Sequence, residues 1–366
     1  MRVLFVFAWL VVGGEETEVR LLARHLDPHR YRIEVVACFR KPNMPEQTHE
    51  QLEALGIPVD RTPYALSFEE TVAYLAAKIP AYDLVVACQA VRDVYPALEQ
   101  LATRPPLIEH GGLVSEATAG PKHLTARYVG VCDSIRAAAA ARMPERTHHA
   151  LEIPSMVDLA EFDPAEREPV RRELGLTDGA VAIGWVGRLD RKKRVEDVLR
   201  AAAIVATLHP HARFVIVGGP DAFMPEYADE LRVLARTLGI ADVVYFLGDR
   251  ADVPRLLAGL DILVWLSRGE GMPHVIAEAG AACLPVIATR DNGSEEQIVD
   301  EVSGLFVPHE DPPAVARALA RLIADAGLRE YLGSNLRRKV DCEYSAQVVT
   351  ERWATLFDDV VTEHAR

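Results

Sequence analysis

The sequence predicts an α/β protein of two doubly wound, parallel-sheet domains in series. Short apolar runs alternate with helical patterns, the alternation begins afresh in the second half, and glycine turns recur where the runs end.

In the first half, residues 2–8, 33–38, 84–88, 107–109 and 128–132 read as buried strands. Most are separated by helical patterns such as the one carrying Val19, Leu22, Ala23 and Leu26. Strands joined through helices pair in parallel by right-handed crossovers. The second half repeats the rhythm with residues 181–186, 214–217, 243–246, 262–265 and 285–288. From Asp311 onward the pattern is helical, over 315–326, 328–340 and 346–364, with Trp353, Leu356, Phe357 and Val360 at core spacing in the last. The division is expected after Ile153-Pro154-Ser155-Met156-Val157-Asp158, giving domains 1–158 and 159–345 and a terminal helix 346–366 that docks back on the first.

With 366 residues and 49% hydrophobic content, the chain is long enough for two full cores. A formal charge of −14 argues against sequence-independent nucleic-acid binding, which needs a basic footprint. No apolar run approaches the roughly 20 residues that span a bilayer. The start, Met1-Arg2-Val3-Leu4, leads into strand pattern without a small-residue cleavage site, so cytoplasmic residence is expected. Cys38, Cys88, Cys132, Cys283 and Cys342 are odd in number and dispersed, as for buried free thiols, and suggest neither a disulfide framework nor a metal site. Lys122, His123, Arg127, Arg136, Arg142, Arg146, His148 and His149 cluster in one segment that offers acidic lipid or an acceptor a weak peripheral contact.

The most informative stretch is Ser267-Arg268-Gly269-Glu270-Gly271-Met272-Pro273 with Glu278. Gly269 and Gly271 permit close backbone approach, and Pro273 suits the first turn of a helix because it lacks an N–H. A helix start attracts phosphate, while Glu270 and Glu278 accept hydrogen bonds from sugar hydroxyls. Upstream, Gly187-Arg188-Leu189-Asp190-Arg191-Lys192-Lys193 sets a strand end, a glycine and four cations before a helix. Cations oppose the dipole there, so an anionic ligand accounts for them better, with Arg188 and Lys193 clamping a diphosphate. Near the N-terminus, Gly13-Gly14 links the first strand to its helix, with neither a G-x-G-x-x-G fingerprint nor a Walker loop. All three sites sit at the carboxyl ends of predicted strands, where open parallel sheets place ligands, so a cleft between the halves is expected to hold the ligand.

Together these residues resemble the retaining glycosyltransferases of the GT-B group usually called family 4. The carriers are Gly13-Gly14 with Glu16, Gly187-Arg188-Leu189 with Lys193, Val217-Gly218-Gly219, Phe246-Leu247-Gly248, Glu270-Gly271-Met272-Pro273 with Glu278, and Pro285-Val286-Ile287-Ala288. The resemblance implies two Rossmann-like domains facing a cleft, the first for the acceptor and the second for a nucleotide-sugar donor. It implies that Arg188 and Lys193 bind the donor diphosphate, Glu278 the ribose and Glu270 the transferred sugar. His110, in Glu109-His110-Gly111-Gly112, resembles the family's active-site histidine. Gly13, Gly14, Gly187, Gly218, Gly248, Gly271, Met272 and Pro273 complete the donor site.

The implied reaction moves a hexose or N-acetylhexosamine, as in glycan biosynthesis, by front-face departure of the nucleoside diphosphate, with no protein nucleophile, cofactor or metal. UDP-sugar is favoured over GDP-sugar, and the acceptor, lipid, glycan or metabolite, stays open. Members commonly read Pro-Asn-Gly-Val-Asp at the domain crossing, where this chain has Pro154-Ser155-Met156-Val157-Asp158. A nucleotide-sugar isomerase or epimerase on the same scaffold, or a non-catalytic nucleotide-sugar binder, are the rival readings. A glycoside hydrolase ranks below them, because it needs no diphosphate clamp.

Overall fold

The computed structural model describes residues 1–42, 44–221 and 223–365. The chain forms two compact units, Met1–Met156 with Ala346–Arg366, and Val157–Ser345.

The first unit holds β1 (Arg2–Trp9), β2 (Arg32–Phe39), β3 (Val59–Asp60), β4 (Leu84–Cys88), β5 (Leu107–Gly111), β6 (Thr125–Gly130) and β7 (Ala150–Glu152). They pair in parallel in the order β3-β2-β1-β4-β5-β6-β7. Side chains alternate between sheet faces, so Val3, Phe5 and Phe7 enter one core while Leu4 and Val6 enter another. Both faces are covered, which is why the strands read as continuous apolar runs rather than alternating ones. The helix Ala346–His364 belongs to this unit and sends Val349, Trp353, Leu356, Phe357 and Val360 into the core of Phe5 and Val35. Phe357 meets Phe5 edge-on at 6.4 Å, within the range where aromatic pairs attract.

The second unit holds β8 (Val181–Val186), β9 (Ala212–Val217), β10 (Val244–Gly248), β11 (Ile262–Trp265), β12 (Val286–Thr289) and β13 (Leu305–Val307). These are also parallel, in the order β10-β9-β8-β11-β12-β13.

Several expectations need correction. The strand read at 128–132 is Thr125–Gly130, because its polar start is buried by pairing rather than by apolar character. Thr125 and Tyr95 both hydrogen-bond the Glu109 carboxylate beside it, and Cys132 instead caps the helix Asp133–Ala141. The cysteines are all free, yet Cys283 and Cys342 are exposed, the first in the turn after the helix His274–Ala281 and the second in the π-helical stretch Val340–Tyr344. The basic segment is not one outward face. Lys122 is buried and paired with Glu109 at 2.5 Å, Arg127 with Glu363 at 2.6 Å, and Arg146 donates to the carbonyls of Lys122 and Thr125. At the crossing, Met156 fills core space that a glycine would leave empty, its sulfur accepting from Thr350 at 3.7 Å. Neither Ser155 nor Met156 has a positive φ, so the altered crossing runs without strain.

At the β3 edge, Lys78 bridges Asp60 at 2.8 Å and Glu34 at 2.5 Å. Burial alone would raise the Asp60 carboxyl, but hydrogen bonds from Lys78, Tyr74 and Thr62 outweigh it and hold the pKa at about 2. A carboxyl depressed on folding stabilises the protein above its unfolded value and loses that contribution as pH falls through the folded one. The stability gap between wild type and Asp60→Asn, read from urea unfolding, should therefore narrow as pH falls from about 4 toward 2. A gap constant across that window would contradict the assignment.

Candidate active site

In the second unit the ends of β8, β9 and β10 converge on three glycines. The amide of Gly187 donates to Val217 O at 2.9 Å, and that of Gly218 to Gly248 O at 2.8 Å. Gly218 has φ +139, and a Cβ there would lie 1.7 Å from Gly187 O, so no side chain fits. Asp249 accepts from the Gly219 amide at 2.8 Å and fixes the next step of the turn.

This crossing positions the basic turn. Leu189 donates to Gly219 O at 2.9 Å, residues Arg191–Lys193 make one tight turn capped by Asp190, and Arg194 then adopts a left-handed conformation at φ 52 before the helix Val195–Leu208. The cations are already engaged: Arg188 Nε lies 2.8 Å from Asp221, and Arg191 meets both oxygens of Glu230 at 2.8 Å. Lys193 Nζ is 2.8 Å from Glu270 Oε1 and 4.7 Å from the ring centroid of Trp265, which stacks on Trp185 at 5.9 Å. An ammonium over an indole face gains attraction from the ring quadrupole, so Lys193 is fixed from two sides.

The glycine loop is held as firmly. Arg268 donates to Lys192 O at 3.0 Å, joining it to the basic turn. Behind it, the Glu270 amide donates to Asp291 at 2.8 Å, Asn292 donates to Glu270 O at 3.2 Å, and Gly293 donates to Gly271 O at 2.6 Å. Gln297 reaches Pro273 O at 3.1 Å. Gly269 takes φ +76 at the tip, Met272 is buried, and Pro273 directly precedes the helix His274–Ala281 rather than forming its first residue. Glu278 stands half-buried in that helix.

The structure thus brings Gly187, Arg188, Lys193, Gly218, Gly248, Glu270, Gly271, Met272 and Pro273 into one hydrogen-bonded assembly. Asp249 supports it, as do Asp221, Asp291 and Gly293, which escaped the sequence reading although the Asp291-Asn292-Gly293 turn chemistry is a recognisable signal.

Gly13, Gly14 and His110 belong to the first unit. Gly13 leaves room for the Glu16 carboxylate, which a Cβ would meet at 2.5 Å, and which accepts from the Val11 amide. His110 is the last residue but one of β5 and is buried, its ring edge-on to Trp353 at 5.3 Å and its Nε2 3.9 Å from Glu18 Oε2. Trp353 Nε1 donates to the other Glu18 oxygen at 2.9 Å. Burial pushes the Glu18 carboxyl up to about 8 despite that bond. Burial also raises Glu15, reinforced by Glu116, Glu16 and Glu18, although the Gly112 amide donates to it at 3.1 Å. Among the described residues, Glu15, Cys88 and His110 form one group with ligand atoms close enough to hold a metal.

Gly218→Ala combines a disfavoured φ with overpacking, and should cost about 3 kcal/mol in urea unfolding. Gly248→Ala, at φ +69 in open space, should cost about 1 kcal/mol. Equal losses at the two positions would contradict the crossing's role.

Comparison with known proteins agrees with this geometry. Residues 166–339 match the model of the family described as glycosyl transferases group 1. The D-inositol 3-phosphate glycosyltransferase of Actinosynnema mirum is 35% identical over 191 residues, covering 50% of this chain and 46% of that protein. The protein of the same name from Corynebacterium urealyticum is 37% identical over 175 residues, covering 46% and 41%. The chain therefore spans less than half the length of these curated relatives. In fold, it is similar to HepE of Anabaena, solved in complex with UDP and glucose, at 22% identity, TM-score 0.84 and coverage of 98% and 99%. It is also similar to sucrose-phosphate synthase of Thermosynechococcus elongatus, at 20% identity, TM-score 0.77 and coverage of 99% and 100%. The chain has the GT-B fold, and its residues 166–339 are similar to the group 1 glycosyltransferases.

Proposed function

We propose that the chain is a retaining, family 4 glycosyltransferase that moves a hexose or N-acetylhexosamine from a nucleoside-diphosphate sugar to a hydroxyl acceptor. The observation that carries this is the join between the basic turn and the glycine loop, where Lys193 and Glu270 lie 2.8 Å apart. A cation for diphosphate and a carboxylate for sugar hydroxyls are thus adjacent, at the carboxyl end of a parallel sheet where ligands of such folds bind.

On this reading Arg188 and Lys193 take the diphosphate, Glu270 the transferred sugar and Glu278 the ribose, with Gly187, Gly218, Gly248 and Gly271 keeping the backbone open to them. Lys193 has three donors, so it can hold Glu270 and a phosphate oxygen together. The bond from the anomeric carbon to the diphosphate breaks as the acceptor oxygen attacks from the same face, and the hydroxyl proton passes to the departing phosphate. Fixed cations stabilise the charge that develops there, without reorganisation during the step. His110 takes its part on the Glu109-His110-Gly111-Gly112 motif. UDP is the favoured nucleotide, in line with the ligand of HepE. The inositol phosphate named for the curated relatives fits a hydroxyl acceptor, and nothing narrower is proposed for this chain.

Arg188→Ala and Lys193→Ala should each lower kcat on the order of 10²-fold. Each should lower turnover far more than it lowers thermal stability, because the two cations serve the ligand rather than the core. Unaltered kcat in both variants would remove the diphosphate assignment. Turnover should survive a chelator, and a strict need for Mg²⁺ or Mn²⁺ would contradict the metal-free step.

A further inference from the structure

The first unit buries carboxylates without cations to match them. Glu15, Glu18 and Glu116 are partnered by the N–H groups of Gly112, Leu113 and Trp353. None of the three meets a lysine or arginine among the described residues, and the Glu18 contact to His110 is 3.9 Å. Glu15 is 7% exposed, and its Oε2 is buried without a hydrogen-bond partner. Moving a carboxylate out of water is costly unless a counter-charge or a full set of donors replaces the water.

The topology explains what else converges there. Cys88 ends β4, and its register partner His110 is the last residue but one of the adjacent parallel strand β5. Glu15 lies in the first turn of the helix Gly14–His25, which follows β1 on the other side of β4. One carboxylate oxygen, the Cys88 sulfur and an imidazole nitrogen consequently lie within 4.8 Å of one another, all on buried residues. We propose that Glu15, Cys88 and His110 form a binding site for a divalent ion of the zinc type, with Glu18 beside His110 as orienting carboxylate or fourth ligand.

The donor set fits that ion. A thiolate, an imidazole and a carboxylate are ligands that zinc takes together, and tetrahedral ligation sets such atoms roughly 3.4–3.6 Å apart. The group spans up to 4.8 Å, so binding requires side-chain rotation to close it by a little over an ångström. A carboxylate behind a ligating histidine is the usual arrangement of such sites. The ion would supply the positive charge that these carboxylates otherwise lack, and its binding does not depend on His110 acting in transfer. The site shares His110 with the active-site reading above, while the transfer step itself draws on no metal.

Cobalt(II) is the probe, because a cobalt–thiolate bond gives a near-ultraviolet charge-transfer absorption that a site of carboxylates alone does not. The full-length protein, stripped with a chelator, should bind one equivalent with that absorption. Cys88→Ser should abolish the absorption, and Glu15→Gln, which keeps an acceptor for the Gly112 amide, should weaken binding at least tenfold. The double variant Cys283→Ser with Cys342→Ser, which removes the exposed thiols, should retain the full signal. No absorption in the folded wild type, or absorption that disappears with Cys283 and Cys342, would overturn the proposal.

Discussion

The second unit depends on a place where two backbones nearly touch. Gly218 approaches Gly187 O so closely that a methyl group would stand 1.7 Å from it. That approach lets the ends of β8, β9 and β10 share hydrogen bonds beyond the regular sheet. The basic turn 187–193 leaves the sheet at a fixed angle because of it, and the loop 267–273 is tied to that turn through Arg268 and Lys192. A charged pair on a free loop contributes little in water, since ordering two long side chains offsets most of the attraction. Here the backbone is ordered by other bonds and the Lys193 side chain lies over the Trp265 ring, so less remains to be ordered when Lys193 meets Glu270.

The first unit shows the opposite economy. Its core is apolar and well covered, yet beside it sit buried carboxyls whose affinity for protons is raised by desolvation and, for Glu15, by its neighbours Glu116, Glu16 and Glu18 as well. Burial also raises the Cys88 thiol, reinforced by Glu15, Glu16, Glu18 and Glu116. Groups of this kind destabilise a fold, and perturbed carboxyls gather where binding or chemistry occurs. The C-terminal helix is part of this arrangement, since Trp353 both fills the core and donates to Glu18.

Much of the fold was legible because strands covered on both faces leave uninterrupted apolar runs. Val181–Val186 and Ile262–Trp265 stand as read. The edge strands Val59–Asp60 and Leu305–Val307 were not legible, being too short to carry a period. Thr125–Gly130 was misplaced because its burial rests on Glu109, a long-range partner that no local pattern reveals. At the site, glycines and charges clustered near strand ends pointed to the basic turn and the glycine loop. Their supports Asp221 and Asp291 come from distant strand ends, and adjacency across a parallel sheet is invisible in a linear reading. The same holds for Glu15, Cys88 and His110, which strand order alone brings together.

The most direct test of the central claim, that the second unit holds a nucleoside-diphosphate sugar on Arg188, Lys193 and Glu270, is thermal stabilisation by UDP, GDP, ADP, their hexose conjugates and NAD. A ligand at a hundred times its dissociation constant adds about 2.7 kcal/mol of stability. The account predicts a selective shift with one nucleoside diphosphate and its sugar conjugate, largest for UDP, that is lost in Lys193→Ala. A shift with NAD alone, or none with any of these ligands, would contradict it.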